Sequence, residues 1–376
     1  MEYINSVVCG LLGPKSSSKF DLNQIVRPNI ADLTPYRCAR DDYSDGVLLD
    51  ANENSMGSIS DDFTDMELNR YPDPLYYEVK KEIATFRNVK KEQIFLGVGS
   101  DEAIDILFRI FCVPGIDNVV ICPPTYGMYK VCAKVNDIQV IQAPLTEDFD
   151  LDIDTTLSSI TDNTKMIFIC SPGNPTAKSI PLEDIIKIIE GYDTGLVIVD
   201  EAYIDFSDIP SACSLISTYP NVVVLHTMSK AFGLAAIRLG MAFASEEIIQ
   251  LMNNVKAPYN INKLTARTAL NVWKEKLPAL KASVNSLVAE RNKLAINLNA
   301  LTYVVKVYDS NANFILFRVR SQARALYKTM AESGVVVRFR GTEQHCNECI
   351  RVTVGTPEEN EKMLETMNKV ALEMNI

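Results

Sequence analysis

The chain of 376 residues exceeds the size at which one hydrophobic core usually stops growing, so two domains are expected. Hydrophobic residues make up 47% of the sequence and charged residues 23%, which excludes a disordered or collagen-like chain. The formal net charge of −11 opposes binding to nucleic acid or to an anionic membrane surface, so an anion has to be bound by a few focused groups.

Membrane and targeting signals are weak in this sequence. No apolar run approaches the length of a membrane span, and the longest runs, such as residues 195–199, have the length of strands. Glu2 lies at the N-terminus and the first arginine is Arg27, which argues against a secretory signal and a mitochondrial transit peptide. Nine cysteines spread from Cys9 to Cys349 do not suggest a disulfide framework. We therefore expect a cytoplasmic protein with free thiols and no membrane partner.

Two cysteines lie close together in the segment 345–349, which reads His-Cys-Asn-Glu-Cys. A structural zinc site needs four ligands, and the sequence contains no second Cys-x-x-Cys or His-x₃-His pair. A thioredoxin-like redox site is also disfavoured, because the pair lies in a polar turn and does not open a helix after a strand. We expect a local loop with two free thiols and no metal site.

The first part of the chain is predicted to form a peripheral arm and a large α/β domain. Residues 1–45 have a mixed polar composition with turns at Pro28 and Pro35, and are predicted to be an N-terminal arm. In residues 46–265, short β-branched runs alternate with helical patterns, which predicts βαβ units and a mostly parallel sheet. The predicted strands are 118–122, 165–170, 195–199, 222–226 and 239–244, with a helix at 182–190.

The pattern changes in residues 266–376. A long helical stretch is followed by strands and helices in an order that predicts a smaller α+β C-terminal domain. The predicted elements are a helical stretch at 264–301, strands at 304–308 and 314–319, a helix at 323–333, and strands at 335–339 and 349–354.

Polar residues follow apolar runs at four places, and ligands of open α/β sheets bind at the carboxyl ends of the strands. At the first place, Gly97, Gly99 and Ser100 precede a helical pattern, so that backbone N–H groups and a capping Ser100 can hold an anion. The match to a dinucleotide-binding fingerprint is poor, because Glu102 stands where a small residue is needed and no strongly apolar strand precedes Gly97.

The next two places supply an amide and a carboxylate. Asn174 follows an apolar strand and precedes Pro175, which favours an extended backbone that points the amide outward. Asp200 ends another apolar strand, with Tyr203 three residues later. A buried, ionised Asp is costly unless it meets a cation.

The fourth place supplies an amine. The apolar run 222–225 is followed by Thr227, Ser229 and Lys230, and Arg238 comes eight positions after the lysine. Each of these features has an ordinary explanation on its own: a turn, a helix cap, or a solvated lysine. Together, an amine, a buried carboxylate for a protonated ring nitrogen, donors for a phenolic oxygen and a phosphate site are the set that pyridoxal phosphate requires.

The motifs that carry these residues resemble those of the fold-type I pyridoxal-phosphate aminotransferases, and within them the histidinol-phosphate aminotransferase family, particularly its fungal members. The similarity extends from Arg27 to about Asn360. The matching segments include LTPY at 33–36, LDANEN at 49–54, NRYP at 69–72, CPPTYGMY at 122–129, SKAFGL at 229–234 and IRVTVG at 350–355.

The resemblance implies a pyridoxal 5′-phosphate cofactor held covalently by Lys230, which also moves the proton in the reaction. It implies that Asp200 pairs with the ring nitrogen, that Asn174 and Tyr203 hold the phenolic oxygen, and that Tyr126 stacks on the ring. Lys230, Asp200 and Tyr203 are therefore the predicted catalytic residues. The residues implied to contact the cofactor phosphate are Gly99, Ser100, Asp101, Thr227, Ser229 and Arg238.

A homodimer with shared active sites is implied by Tyr71, because in the family this tyrosine reaches the phosphate in the neighbouring subunit. The arm of residues 1–45 is then expected to contribute to the small domain and to the dimer. No nucleic acid is expected as a partner.

The resemblance also implies a substrate site. Arg351 corresponds to the arginine that clamps the substrate carboxylate bidentately, a geometry that lysine cannot supply. Tyr36, Asn52 and Arg338 complete the implied site, with Tyr36 and Arg338 meeting the phosphate of histidinol phosphate. Arg340 lies two residues further along the same predicted strand, hence on the same face, and only the resemblance favours Arg338 over it.

Two positions depart from the family pattern. Ala177 stands where the family has Gly after Asn-Pro-Thr, and because Ala resists a positive φ we expect the loop after Asn174 to take another course. Ala236 stands where relatives often have Gly. Neither change removes a reacting group.

The implied function is a transaminase that exchanges the amino group between histidinol phosphate and 2-oxoglutarate in histidine biosynthesis. An aromatic aminotransferase or a phosphorylated-amino-acid decarboxylase of the same fold is the nearest alternative. A non-catalytic relic is opposed by the intact Lys230, and a nucleotide-dependent oxidoreductase by the incomplete glycine fingerprint.

Overall fold

The computed structural model describes residues 20–42 and 46–376, and these residues contain two β-sheets. The strands of the larger sheet are β1 (Ile94–Val98), β2 (Asn118–Ile121), β3 (Gln139–Gln142), β4 (Thr164–Cys170), β5 (Leu196–Asp200), β6 (Val222–Thr227) and β7 (Leu239–Phe243). The strands of the smaller sheet are β8 (Val304–Val307), β9 (Phe314–Val319), β10 (Arg338–Phe339) and β11 (Cys349–Thr353).

The larger sheet has the strand order β1-β7-β6-β5-β4-β2-β3. Strands β3, β2, β4, β5 and β6 pair in parallel, whereas β7 pairs antiparallel with both β6 and β1. This confirms the predicted mostly parallel sheet. The parallel strands are apolar almost throughout because both faces are covered: Val197 and Val199 pack into one core, and Leu196 and Ile198 pack into the other.

Helices cover the two faces of this sheet and one face of the smaller sheet. The described helices are α1 (Leu22–Ile25), α2 (Pro28–Ala31), α3 (Tyr77–Arg87), α4 (Gly99–Phe111), α5 (Met128–Val135), α6 (Ile153–Ser158), α7 (Leu182–Gly191), α8 (Glu246–Val255), α9 (Lys263–Glu275), α10 (Leu277–Asn299), α11 (Ala323–Glu332) and α12 (Pro357–Glu373). Helix α7 shows why they form: Leu182, Ile185, Ile186 and Ile189 recur at helical spacing and are buried.

The smaller sheet has the order β10-β11-β9-β8 and is antiparallel. Ile315 and Ile350 of this sheet pack against helices α10, α11 and α12 in a separate core. The neighbouring residues Leu316 and Cys349 point the other way and join the core of the larger sheet. The smaller sheet therefore presents β9 and β11 to the larger domain, as required for an α/β domain with a smaller α+β partner.

Several element predictions need correction. The helical stretch 264–301 is two helices, because Lys276 leaves the helical conformation and Pro278 opens α10. The strand predicted at 335–339 shrinks to Arg338–Phe339. Strand β1 was not predicted from the residues before Gly97, yet it is present. Its residues are buried as far as Gly97, which has no side chain and pairs with Gly240. The division of the chain near residue 265 stays a prediction.

Within the described ranges, no helix is both long enough and apolar enough to cross a membrane.

Candidate active site

A cavity of about 360 Å³ opens at the carboxyl edge of the larger sheet. It lies there because β4, β5 and β6 are parallel neighbours whose last residues, Cys170, Asp200 and Thr227, end at the same edge. The residues that line it are Gly99, Ser100, Asp101, Tyr126, Cys170, Asn174, Asp200, Ala202, Tyr203, Thr227, Ser229, Lys230, Ala235, Arg238 and Arg351. The structure thus brings together twelve of the residues predicted from the sequence.

Asp200 forms a buried part of this cavity. One carboxylate oxygen accepts the hydroxyl of Tyr129 at 2.6 Å, and the other accepts the backbone N–H of Ala202 at 3.1 Å. Burial raises the pKa of Asp200, against these two hydrogen bonds. Tyr129 was not predicted as a site residue. It lies on helix α5, and its ring packs edge-on against that of Tyr126, which precedes the helix, with the ring centres 5.7 Å apart.

Asn174 lies on the loop after β4 and faces two arginines of the smaller domain. Its side-chain oxygen accepts a hydrogen bond from Arg351 at 2.5 Å and another from Arg340 at 3.0 Å. With the oxygen engaged by two guanidinium groups, the amide NH₂ is left to donate elsewhere. The Nε of Arg340 is buried without a partner, and Glu343 lies 3.4 Å from the same side chain.

Lys230 follows β6 after a short turn and lies beside Tyr203. Its amine is 5.6 Å from the centre of the Tyr203 ring. Burial lowers the pKa of Lys230, and the nearby charge of Arg351 lowers it further. Both effects favour the neutral amine, which is the form that attacks a carbonyl carbon.

The N-terminus of helix α4 forms one wall of the cavity. The helix starts at Gly99 with Val98 as its N-cap, so Ser100 lies within the first turn and does not cap the helix, contrary to the expectation from the sequence. A Cβ on Gly240 would lie 2.1 Å from the backbone nitrogen of Ser100, so strand β7 and the helix end approach as closely as they do only because Gly240 has no side chain. The N–H of Gly99 donates to the carbonyl of Arg238 at 2.9 Å, so the N–H groups that follow it in the first turn make the anion cradle.

Hydroxyl and guanidinium groups complete this wall. The hydroxyls of Thr227 and Ser229 are 3.0 Å apart, and the Thr227 hydroxyl also accepts the Ser229 N–H at 3.1 Å. A guanidinium nitrogen of Arg238 lies 3.8 Å from the Asp101 carboxylate, and the Tyr126 hydroxyl donates to the same carboxylate at 3.0 Å. The two hydroxyls, the guanidinium group and the N-terminus of helix α4 therefore line the same part of the cavity.

Four predicted residues lie outside the lining of this cavity. Tyr71 is 50% exposed and stacks on Tyr259, with the ring centres 4.7 Å apart. Tyr36 is 71% exposed, and Asn52 lines a different surface cavity together with Tyr71. Arg338 is exposed and lies directly opposite Arg351 in the pairing of β10 with β11. Their roles toward substrate and cofactor stay predictions.

The loop after Asn174 accommodates its unusual alanine. Ala177 has a φ of 61° and is fully buried, so the residue adopts the left-handed conformation that the sequence analysis expected it to avoid. Its carbonyl accepts the N–H of Asn311 at 2.7 Å, and its own N–H donates to Gly173 at 2.8 Å. These two hydrogen bonds hold Ala177 in a backbone conformation that a glycine would adopt without strain.

The residues present fit pyridoxal phosphate. Asp200 is a buried carboxylate for which no ion pair occurs among the residues that the structure describes, and a protonated ring nitrogen would supply the missing cation. The wall formed by helix N–H groups, hydroxyls and Arg238 suits a phosphate. Lys230 lines the same cavity and supplies an amine. The groups that suit the ring and the groups that suit the phosphate therefore line the same cavity.

Comparisons with known proteins agree with this chemistry. Residues 44–367 match the model of the family described as aminotransferase class I and II. The chain is similar to the curated histidinol-phosphate aminotransferase of Parabacteroides distasonis, with 46% identity over 94% of this chain and 99% of the relative. It is also similar to the histidinol-phosphate aminotransferase of Saccharomyces cerevisiae, with 44% identity over 94% of this chain and 100% of the relative.

A solved structure has the same fold. The histidinol-phosphate aminotransferase of Sinorhizobium meliloti, crystallised in complex with pyridoxal-5′-phosphate, superposes with a TM-score of 0.75. The match covers 86% of this chain and 90% of the other at 21% identity. The fold of both domains is therefore that of a known cofactor-binding enzyme.

Proposed function

Because this chain belongs to the aminotransferase class I and II family, we propose that it exchanges the amino group between histidinol phosphate and 2-oxoglutarate, a step of histidine biosynthesis. The products are imidazole-acetol phosphate and glutamate. The observation that carries the proposal is the identity of 44% and 46% to curated histidinol-phosphate aminotransferases over 94% of the chain. The enzyme depends on pyridoxal phosphate.

Pyridoxal phosphate, when bound, supplies an electron sink for the bond that breaks at the substrate α-carbon. The residues of this chain then have separate tasks. Asp200 would hold a positive charge at the ring nitrogen, and Asn174 and Tyr203 would donate to the phenolic oxygen. The lowered pKa of Lys230 suits it to take the proton from the α-carbon as a base. Tyr129, through its hydrogen bond to Asp200, fixes the position of that carboxylate.

Three arginines of the smaller domain support the proposal that the substrates are acidic. Arg338 and Arg351 are cross-strand partners and Arg340 lies two residues after Arg338, so all three start from one face of the smaller sheet. Glu343 is the carboxylate paired with this group, at 3.4 Å from Arg340. Histidinol phosphate carries its phosphate ester on the carbon next to the amine-bearing carbon, where glutamate carries its α-carboxylate. We infer that Arg351, with Arg338 beside it, binds whichever of these anions is present.

A homodimer and a cytoplasmic location are also part of the proposal. The exposed Tyr36 and Tyr71 are available to a second copy of the chain, and Val47, Leu49 and Met56 nearby in sequence are 75–93% exposed, which supports a surface that is covered in a dimer. The eight cysteines within the described residues are free thiols, as expected in a reducing compartment.

The experiment compares histidinol phosphate, phenylalanine and tyrosine as amino donors to 2-oxoglutarate. We expect kcat/KM to be highest for histidinol phosphate, and an equal or higher value for phenylalanine would overturn the proposed substrate. Lys230→Ala should lose both transamination and the cofactor that borohydride fixes to the protein. The matched control is Lys187→Ala, which removes an exposed lysine paired with Asp184 and should behave as wild type.

A further inference from the structure

Cys346 and Cys349 are the two ends of the turn that leads into β11, and Cys349 is the first residue of that strand. The backbone N–H of Cys349 donates to the carbonyl of Cys346 at 2.9 Å, which closes a four-residue turn. Such a turn keeps its end Cα atoms within about 7 Å, and disulfides span Cα separations of roughly 4.4–6.8 Å. Both side chains are fully buried, with 0% of either residue exposed.

The turn that holds the two cysteines also binds a cation. The Cys349 thiol donates to the carbonyl of Asn347 at 3.6 Å, and a guanidinium nitrogen of Arg318 donates to the carbonyl of His345 in the same turn at 2.9 Å. The neighbouring Cys346 thiol and the charge of Arg318 lower the pKa of Cys349 against the effect of burial.

At two other buried cysteines the effect of burial prevails. It raises the pKa of Cys122 and the pKa of Cys213 to about 12 in each case. The thiolate, which is the reactive form, is therefore favoured at Cys349 over these two sites.

A surface cavity opens beside the turn that holds the pair. It has a volume of about 300 Å³ and is lined by His345 and Asn347 of that turn and by Tyr308 and Arg318. Neither cysteine lines the cavity, so an oxidant that enters from it has to pass the side chains of this lining, which favours a small one.

We propose that Cys346 and Cys349 are a redox-active dithiol, which a small two-electron oxidant such as hydrogen peroxide converts into an intramolecular disulfide. The Cys349 thiolate attacks one peroxide oxygen, the O–O bond breaks, and the leaving hydroxide takes a proton to become water. Cys346 then loses its proton and attacks the sulfur of the resulting sulfenic acid, so that the S–S bond forms, the S–O bond breaks and a second water leaves. Two thiols lose two electrons and two protons, and one peroxide becomes two waters.

Oxidation of this pair has a direct route to the candidate active site. The N–H of Arg340 donates to the Cys349 carbonyl at 2.9 Å, and Arg351 is two residues after Cys349 on β11. Both arginines donate to Asn174. Drawing the two sulfurs together to about 2.05 Å shifts the turn that carries these contacts. On the proposed function, the oxidised enzyme therefore has a higher KM for its acidic substrates.

The experiment uses the cofactor-loaded enzyme and graded hydrogen peroxide, followed by alkylation, trypsin and mass spectrometry. Cleavage after Arg340 and Arg351 releases residues 341–351, which contain both cysteines of the pair and no other. This peptide should lose two hydrogens and resist alkylation at a dose that leaves Cys213 open to alkylation. Dithiothreitol should restore both thiols.

Controls separate the pair from general oxidation. Cys346→Ser and Cys349→Ser should each abolish the two-hydrogen loss, and Cys213→Ser should retain it. The proposal is overturned if the peptide stays alkylatable when Cys213 has already reacted, or if it gains oxygen without forming the disulfide.

The kinetic consequence is measured separately on fully oxidised enzyme. We expect KM for 2-oxoglutarate to rise at least threefold, with a smaller change in kcat and recovery after reduction. An unchanged KM overturns the coupling to the arginines. Because the peptide measurement needs no turnover, an enzyme that fails to accept histidinol phosphate would overturn the proposed function and leave the dithiol result intact.

Discussion

Arg351 of the smaller sheet donates a hydrogen bond of 2.5 Å to the side-chain oxygen of Asn174, which lies on a loop of the larger sheet. This contact joins a group proposed to bind the substrate anion to one proposed to hold the phenolic oxygen of the cofactor. The Arg351 guanidinium also lies over the Phe314 ring, 5.1 Å from its centre, which fixes the plane of the fork. A planar guanidinium held in this way can hold Asn174 and still present its remaining N–H groups to an anion.

Arg351→Lys keeps the positive charge and removes the fork. We expect kcat/KM to fall about 100-fold for both histidinol phosphate and glutamate, equivalent to about 2.7 kcal/mol. Steady-state kinetics with each donor check this. Arg320→Lys is the matched control, since Arg320 is exposed and donates to the Thr302 carbonyl. Wild-type kinetics for Arg351→Lys would mean that charge alone suffices.

Asp200→Asn should have opposite effects on stability and on activity. Because burial raises the pKa of Asp200, the folded protein without cofactor disfavours the ionised carboxylate. That penalty appears as the pH rises above the usual Asp value of about 3.8, and stability falls toward neutral pH. Asparagine keeps an oxygen for the Tyr129 hydroxyl and carries no charge.

The cofactor-free Asp200→Asn protein should therefore melt at or above the wild-type temperature at pH 7. Its transaminase activity should fall by at least 100-fold, because the ring nitrogen loses its counter-charge. Thermal unfolding and steady-state kinetics check the two effects. A clear drop in melting temperature would show that the carboxylate stabilises the empty fold.

Strand predictions succeeded where the sequence carries a local signal. The runs that end at Cys170, Asp200 and Thr227 are strongly apolar and stop at polar residues, so both their strands and their common edge could be predicted. Strand β1 carries no such signal, since Gly97 interrupts its apolar pattern, and its burial comes from Ile94 and Leu96 packing into one core and Phe95 into the other.

Contacts between the two sheets could not be predicted from spacing. Arg340 and Asn174 are 166 residues apart, and only the packing of the small sheet against the large one brings them together. Ala177 shows the reverse case, in which a sound local preference against positive φ is overridden by backbone hydrogen bonds and burial. Resemblance indicated Arg338, and the fold adds Arg340 beside it.

A buried ion pair under the site is expected to contribute to stability. Asp205 accepts hydrogen bonds from Arg87 at 2.8 Å and lies 2.7 Å from His226, next to Thr227 in sequence. Burial alone would raise the pKa of Asp205, but His226 and Arg87 outweigh it and hold this pKa below its usual range. The stabilisation is therefore present above the usual Asp value of about 3.8 and is lost as the pH falls through the lower folded value.

Asp205→Asn should lower the free energy of unfolding by about 3 kcal/mol, because it leaves the buried Arg87 without its counter-charge. Urea denaturation at pH 7 measures this change. Asp184→Asn, which removes a half-buried carboxylate paired with the exposed Lys187, should leave the midpoint nearly unchanged. Equal urea midpoints for the two variants would show that the buried ion pair does not stabilise the fold.

Arg338 and Arg340 can be separated by their different contacts. Arg338 is exposed opposite Arg351, whereas Arg340 is half-buried and tied to Asn174 and Glu343. Arg338→Gln should therefore lower kcat/KM for histidinol phosphate about tenfold more than for phenylalanine, because only the former brings a dianionic phosphate.

Arg340→Gln should instead affect both donors alike, because it releases the side chain of Asn174, which is proposed to hold the cofactor for either substrate. Its second readout is the visible absorbance of the bound cofactor, which should change with the hydrogen bonds around the phenolic oxygen. Arg338→Gln should leave that spectrum as in wild type. If the two variants show the same donor preference and the same spectrum, the separate roles drawn from their contacts are wrong.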